Sequence, residues 1–143
     1  MIRFVSQFFI ASVVALTLQS TALSVGVIDT AFGTNGVVTT PGPVNLVAGA
    51  TAFQPDGKYV VAAENGDSIV MSRFNADATF DTSFGTNGTA SSDLGTLDVT
   101  DVAIQPDGKI VVVGNSITGG GSDCFVARFG SSGVLDTSFG TNG

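Results

Sequence analysis

The sequence predicts an all-β fold built from tandem modules of four short antiparallel strands, and three observations lead to this prediction. An octapeptide of the form Asp-Thr-Ala/Ser-Phe-Gly-Thr-Asn-Gly begins at residues 29, 81 and 136. Its intervals of 52 and 55 residues are typical of stacked repeat units. A second motif, Gln-Pro-Asp-Gly-Lys, occurs once in each interval and is typical of a hairpin turn. Beyond the N-terminal segment, apolar residues show no 3.6-residue period, which argues against helices.

The first hairpin of each module is predicted at Pro-Asp-Gly, residues 55–57 and 106–108. Proline presets φ at the first central position of the turn, aspartate caps its own backbone, and glycine takes the left-handed position. The arms that follow, Tyr59–Ala63 and Ile110–Val113, are continuously apolar. Such short runs are typical of strands covered on both faces. We therefore expect sheets that stack face to face.

A third and a fourth arm complete each predicted module. The third arms are Ser68–Phe74 and Asp123–Phe129, and the octapeptide then turns the chain into a fourth arm, Val37–Thr40 or Thr89–Ser92. Four short strands in about 52 residues is the content of one β-propeller blade. The offset between equivalent residues of the two repeats grows by four between Val112 and Val126. We place these four residues in a predicted loop at Ser116–Ser122 because glycine- and serine-rich segments tolerate insertions.

Taken together, the motifs resemble those of the delta-60 repeat family. The resemblance rests on Gln-Pro-Asp-Gly-Lys-(Ile/Tyr)-Val-Val, Arg-Phe and (Leu/Phe)-Asp-Thr-Ser-Phe-Gly-Thr-Asn-Gly, which recur in one order over about residues 29–143. It implies blades of β-propeller type in a secreted bacterial protein, and it implies no general catalytic residues. The first unit departs from the family pattern at residues 75–79, Asn-Ala-Asp-Ala-Thr, where family members usually have glycine in the turn.

The first 24 residues have the three-part layout of a secretory signal peptide. Arg3 provides a short positive lead, an apolar run extends from Phe4 to Leu18, and cleavage sites follow at Ala22 and Ser24. The alternative is an uncleaved membrane anchor, but about 15 apolar residues are fewer than the roughly 20 that span a bilayer. We therefore predict a secreted, periplasmic or cell-surface protein without a stable transmembrane domain. The predicted divisions are a signal peptide at 1–24 and a repeat region at 25–143, with units at about 29–80, 81–135 and, in part, 136–143.

Composition excludes several classes of function. The chain has 12 acidic and 5 basic residues, and proteins that bind nucleic acid need a basic stripe. It has no histidine, so Ser-His-Asp and Cys-His arrangements and histidine zinc sites are excluded. Cys124 is the single cysteine, so it forms no internal disulfide. We expect its thiol to be a small buried hydrophobe rather than a nucleophile, because it lies beside Phe125 in an apolar strand.

Acidic residues recur at the start of each octapeptide and in each hairpin turn. None lies in the 12-residue loop of an EF-hand calcium site. Their repetition is better explained by side chains that accept hydrogen bonds from nearby backbone N–H groups. Similarly, the segment Gly119–Asp123 shares only composition with a calcium-binding nonapeptide, and we expect a flexible loop there. The recurring acidic residues are Asp29, Asp56, Asp81, Asp107 and Asp136.

The two arginines of the repeats leave two interpretations open. Arg73 and Arg128 precede phenylalanine at equivalent positions. Each could form an ion pair with one of the recurring aspartates, or lie along the sheet with its guanidinium in water. Four of the five basic residues occupy equivalent places in the two repeats, which indicates a structural role rather than a charged patch.

The sequence therefore predicts no catalytic, cofactor-binding or metal-binding residues, no cofactor, and an exported structural or binding module. Loops at Glu64–Asp67 and Ser116–Ser122 would contact an unknown protein or glycan partner. Repeat proteins need about three or more units, so we favour a fragment of a longer propeller, with a homo-oligomer that completes a propeller as the second choice. The alternatives are part of a hydrolase or lactonase of the propeller kind, and a nonfunctional truncated remnant.

Overall fold

The computed structural model describes residues 26–39, 46–95, 97–118 and 121–143, and the predicted signal peptide lies outside them. These residues form seven strands and no helix, so none of them forms a helix that could cross a membrane. The strands pair as two antiparallel sheets, β1-β2-β3-β4 and β5-β6-β7. The all-β prediction with blades of propeller type is confirmed. The strands are β1 (Val47–Phe53), β2 (Tyr59–Glu64), β3 (Ser68–Phe74), β4 (Thr89–Asp93), β5 (Leu97–Ile104), β6 (Ile110–Thr118) and β7 (Gly121–Phe129).

The Pro-Asp-Gly motifs form the predicted hairpin turns between β1 and β2 and between β5 and β6. In the first turn, the Gln54 N–H donates to the Lys58 carbonyl at 2.7 Å and the Gly57 N–H donates to the Gln54 carbonyl at 3.0 Å. Gly57 has a φ of 84°, in the left-handed region that favours glycine. The second turn repeats both hydrogen bonds at 2.8 Å. Local turn chemistry thus determines the register of the first hairpin in each sheet.

The octapeptide ends in a second kind of turn, in which Asn87 and Gly88 have φ values of 53° and 91°. Thr86 and Thr89 exchange backbone hydrogen bonds of 2.7 and 3.2 Å across it. A two-residue Asn-Gly loop with both φ values positive is the type I′ turn, whose twist matches that of paired strands. The turn leads directly into β4, as predicted for Thr89–Ser92.

The predicted fourth arm at Val37–Thr40 is not a strand over its described residues, 37–39. The same Asn-Gly turn precedes it, but only Thr34 and Val37 pair, as an isolated bridge. The physical reason is the missing neighbour. β4 is held by five residue pairs along β3, whereas no third arm precedes Val37 among the described residues.

The prediction of a loop at Ser116–Ser122 is wrong for most of its length. Ser116 pairs with Asp123, Ile117 with Ser122 and Thr118 with Gly121, so β6 and β7 continue through the inserted residues. Residues added on both sides of a hairpin tip can lengthen its two arms without disturbing the register below. The insertion therefore extends a hairpin, and only residues 119 and 120 separate its strands.

The second sheet has three strands, where a complete blade has four. In the first sheet, the fourth strand begins directly after Gly88, the last residue of an octapeptide. The corresponding octapeptide of the second repeat ends at Gly143. β7 has no neighbour on its outer side among the described residues.

One hydrophobic core fills the space between the two sheets. Residues two apart on a strand share a face, and each sheet contributes one face to this core. Phe84 from the octapeptide is also fully buried in it. Burial of one large apolar side chain stabilises a fold by about 1.5–3 kcal/mol, so this core dominates the stability of the pair. The strand residues at its centre are Val60, Ala62, Ile69 and Met71 of the first sheet and Ile110, Val112, Ala127 and Phe129 of the second.

The departure from the family pattern at residues 75–79 leaves an alanine in a glycine conformation. Ala78 has a φ of 67°, and its counterpart Gly133 has a φ of 87° in an equivalent turn. The N–H groups of both donate to the carbonyl three residues earlier, Asn75 or Gly130, at 2.9 Å. A side chain in this region costs roughly 1–2 kcal/mol.

We therefore expect Ala78→Gly to raise the free energy of unfolding, by about 0.5–1 kcal/mol once the greater freedom of glycine in the unfolded chain is counted. Chemical denaturation measures the change. Gly133→Ala is the matched opposite and should lose more than about 1 kcal/mol, because its Cβ would also lie 2.6 Å from Ala90 Cβ and 2.7 Å from Phe84 Cζ. Destabilisation by Ala78→Gly would contradict the assignment of strain.

Candidate functional site

The recurring charged residues of the first repeat meet in one ionic cluster. Asp81 Oδ2 accepts hydrogen bonds from Lys58 Nζ and from Arg73 Nε, both at 2.8 Å. Asp81 Oδ1 accepts two more from Ser83, from its backbone N at 3.1 Å and from its Oγ at 2.6 Å. The side chains of Asp81 and Arg73 are only 8% and 10% exposed. This is a buried, hydrogen-bonded ion pair with a second, more exposed cation.

The second repeat builds the same cluster from equivalent residues. Asp136 Oδ2 lies 3.2 Å from Lys109 Nζ and 2.9 Å from both Arg128 Nε and Arg128 Nη2. Asp136 Oδ1 accepts from Ser138 N at 3.2 Å and Oγ at 2.6 Å. Its carboxylate and the arginine are more exposed, at 15% and 20%. We call the two clusters the Asp81 clasp and the Asp136 clasp.

Backbone hydrogen bonds place each clasp at the end of a third strand. The Asp81 N–H donates to the Arg73 carbonyl at 2.9 Å, and the Arg73 N–H donates to the Gly88 carbonyl at 2.9 Å. The octapeptide is thus joined to β3 at its first and last residues. Arg128 makes the corresponding bonds with Asp136 and Gly143, at 2.8 and 3.0 Å. Of the two interpretations left open by the sequence, the ion pair is confirmed at both arginines.

Arg73 also connects the two sheets. Its guanidinium carbon lies 4.6 Å from the centre of the Phe84 ring, as a cation–π contact. Its Nη1 donates to the Ser131 carbonyl of the second repeat at 2.7 Å. The Gly85 N–H donates to the neighbouring carbonyl of Ser132 at 3.0 Å. Arg128 repeats the cation–π contact, 4.4 Å from the Phe139 ring centre.

The clasps hold both carboxylates in the ionised form. Hydrogen bonds from Lys58 and Ser83, with the nearby guanidinium, hold the pKa of Asp81 far below its usual range despite burial. The Ser138 hydroxyl, followed by the lysine and arginine of its clasp, does the same for the pKa of Asp136. A carboxylate with four donors and a depressed pKa is a poor proton acceptor near neutral pH. The clasps are therefore arranged for structure rather than for general base catalysis.

The remaining recurring aspartates cap turns, as predicted. Asp56 and Asp107 accept hydrogen bonds from the backbone N–H of the following lysines at 3.1 and 3.2 Å. Asp29 accepts one from the Ala31 N–H at 2.9 Å. Among the residues that the structure describes, no three carboxylate or thiol side chains are grouped so that they could hold a metal ion.

The expectation of a buried Cys124 is wrong, because the residue is exposed. Its equivalent in the first repeat, Ile69, is fully buried by the second sheet. The strand, not the residue type, determines the difference: the face of β7 that carries Cys124 has no sheet packed against it among the described residues. Strand pairing with Asn115 on β6 is regular.

Two features of the structure were not predicted from the sequence. The first is the pair of lysines, Lys58 and Lys109, whose equivalent placement was the available signal for a role in the clasps. The second is an open apolar cavity of about 410 Å³ on the outer side of the first sheet. No local motif marks this cavity, because it lies between segments distant in sequence. Its lining includes Phe32, Val38, Tyr59, Val61, Val70 and Phe74.

Comparison with known proteins agrees with this geometry. A family described as a domain of unknown function (DUF5122) beta-propeller matches residues 54–84 and 105–139. Each matched range begins at the glutamine of a Pro-Asp-Gly hairpin and ends at the phenylalanine under the clasp arginine. These two segments are β-propeller repeats. No curated protein and no solved structure matches the chain.

The clasps of the two propeller repeats should give the fold a sharp dependence on acidic pH. A carboxylate whose pKa is lowered by folding contributes stability that is fully present above its unfolded pKa, near 3.9, and is lost as the pH falls toward the folded pKa. We expect Asp81→Asn to cost about 3–5 kcal/mol at pH 7, because it leaves a buried arginine unpaired. Denaturation at several pH values measures this cost.

Two comparisons sharpen the test. The difference between the parent chain and Asp81→Asn should narrow below about pH 4, and Asp136→Asn should be the milder change because its clasp is more exposed. A cost for Asp81→Asn that does not vary between pH 7 and pH 2 would contradict the ionic origin of this stability.

Proposed function

We propose that the chain is an exported, non-catalytic repeat module of the delta-60 kind that acts by binding a glycan or protein. The observation that carries this proposal is a division of roles between residues. The charged residues common to both repeats are used inside the clasps and turns. What differs between the repeats is the longer β6–β7 hairpin, which extends beyond its counterpart β2–β3.

The tip of the longer hairpin has the chemistry of a polar binding surface. Its paired residues include Ser116 opposite Asp123, next to Asn115. Hydroxyl, amide and carboxylate groups can exchange hydrogen bonds with sugar hydroxyls or with a peptide backbone. The shorter tip of the first repeat is closed on itself, since Asn65 Oδ1 accepts from the Ser68 N–H at 3.1 Å. The second tip is therefore the better candidate for ligand contact.

A graft between the repeats tests this assignment. Replacing residues 116–122 with the Asn-Gly-Asp of residues 65–67 gives the second hairpin the tip of the first. We expect the graft to fold, because the two hairpins share their register below the tip. It should lose at least about tenfold in affinity for immobilised polysaccharides, a change of about 1.4 kcal/mol. Binding to a polysaccharide array and the melting temperature are the measurements.

Ser132→Ala is the matched control for the graft, since Ser132 is exposed and lies after β7, at the opposite end of the strands. It should keep the affinity of the parent chain. Equal binding by the graft and the parent chain would contradict the glycan assignment. So would a parent chain that binds no polysaccharide when the sugar sites are present at millimolar concentration.

Export is supported by the charge and apolar pattern of residues 1–24. Expressed in a bacterium, the chain should appear outside the cytoplasm with an N-terminus at Leu23 or Val25, as read by mass spectrometry. Val14→Asp should block export because it places a charge in the apolar run, whereas Thr17→Ser should leave it unchanged. A full-length chain retained in the membrane fraction would show an uncleaved anchor instead.

A further inference from the structure

The contact between the two sheets is directional. The first sheet presents Val60 and Met71 on the face toward the second sheet, which we call its forward face. The second sheet contacts it through Ile110 and Phe129. These two residues lie on the other face of their repeat, which we call the rear face. The repeat equivalents of Ile110 and Phe129 are Tyr59 and Phe74, which lie on the rear face of the first sheet. Each repeat therefore has, on its two opposite faces, both of the residue sets that meet in the contact between the sheets.

The forward face of the second sheet is apolar, like the buried forward face of the first sheet. Val60, Ala62, Ile69, Met71 and Phe84 are fully buried in the first repeat. None of their equivalents is buried, and Val126, at the position of Met71, is 52% exposed. The equivalents, in the same order, are Val111, Val113, Cys124, Val126 and Phe139. This face is apolar and uncovered in the part of the chain that the structure describes.

The rear face of the first sheet is covered only in part, although Tyr59, Ala63, Val70 and Phe74 on it are buried. It lines the apolar cavity of about 410 Å³, and Phe53 at its rim is 75% exposed. Ile104, the equivalent of Phe53, packs against the core between the sheets. Phe32 and Val38 cover part of the face, and they are the repeat equivalents of Phe84 and Ala90. The first octapeptide thus lies on the first sheet much as the second octapeptide lies on the second.

We propose that copies of this chain associate head to tail, with the forward face of the second sheet of one copy on the rear face of the first sheet of the next. The association reproduces between molecules the contact that each molecule already makes within itself. The occupant of the forward face of the second sheet, and of the cavity on the rear face of the first, is a second copy because the chain carries the matching residues for each face. Such a heterologous contact closes into a ring when its rotation permits.

One octapeptide is sufficient at each junction. Phe32 of one copy and Phe139 of the other are both equivalents of Phe84, so they would compete for the same place. The first octapeptide leads onward into Val37 and Val38, which can follow the free edge of β7 as β4 follows β3. It keeps the place, and its Asp29, the repeat equivalent of Asp136, takes the position beside Arg128 when the last octapeptide gives way.

Two charge substitutions test the proposal on the full chain, exported and processed by a bacterial host. Val126→Asp places a charge in the forward face, and Phe53→Asp places one in the rear face. Because an unpaired charge is costly to bury, each should weaken self-association about 100-fold or more, a change of at least about 2.7 kcal/mol. Multi-angle light scattering across a concentration series measures the mass, and circular dichroism confirms that each variant folds.

Mixing the two variants gives the decisive result. The Val126→Asp copy keeps an intact rear face and the Phe53→Asp copy keeps an intact forward face, so the mixture should form a one-to-one dimer that grows no further. Val47→Asp is the matched control: Val47 is 60% exposed and its repeat equivalent is already Asp98. It should associate like the parent chain.

Four outcomes would overturn the proposal. A parent chain that stays monomeric at high micromolar concentration leaves both faces to some other occupant. Disruption by Val126→Asp with no effect of Phe53→Asp indicates a symmetric contact between two forward faces. Equal disruption by Val47→Asp, or a mixture that fails to form the dimer, indicates unspecific apolar association.

Discussion

The ion pair between Asp81 and Arg73 is the contact on which the first repeat depends. It joins the start of the octapeptide to the end of β3. Lys58 connects the hairpin between β1 and β2 to the same carboxylate. A buried ion pair contributes little net stability compared with well-packed apolar residues, but breaking one half of it is costly. Its effect here is to specify which segments meet. The carbonyl of Ser131, bonded to Arg73, extends that specification to the second sheet.

Apolar packing between the sheets stabilises the parts of the strands that the clasps do not reach. The clasps lie at one end of the strands, while the core between the sheets runs along them. A propeller blade buries both of its faces only between two neighbours, and each sheet has one neighbouring sheet among the described residues. The environment of a side chain therefore depends on which side of which repeat it occupies. Ile69 and Cys124 have equivalent places in the strand order, yet one is fully buried and the other is exposed.

This dependence explains which features the sequence could predict. Hairpin turns, the Asn-Gly turns and the capping aspartates follow from a few consecutive residues, and the structure contains them at the predicted places. The exposure of Cys124 and the absence of a strand at Val37 depend on a neighbouring sheet, which no local pattern reports. The hairpin at Ser116–Ser122 shows a third limit, because glycine-rich composition does not distinguish a loop from lengthened strands. The equivalent positions of the arginines and aspartates allowed an ion pair as one of two interpretations, but they did not reveal the part of the lysines in the clasps.

Comparison of the two repeats distinguishes the residues that the blade requires from those proposed to bind a ligand. A residue that recurs at one place in both repeats is explained by a requirement of the blade, as the four members of each clasp are. A difference between repeats has no such explanation, because the first repeat forms the same hairpin without the inserted residues. The inserted residues of the β6–β7 hairpin keep strand pairing up to Thr118 and Gly121. The insertion therefore lengthens two paired strands and does not form a long loop. An ordered extension loses less conformational entropy when a ligand binds than a flexible loop does. This is why the proposed binding surface is placed on the second hairpin.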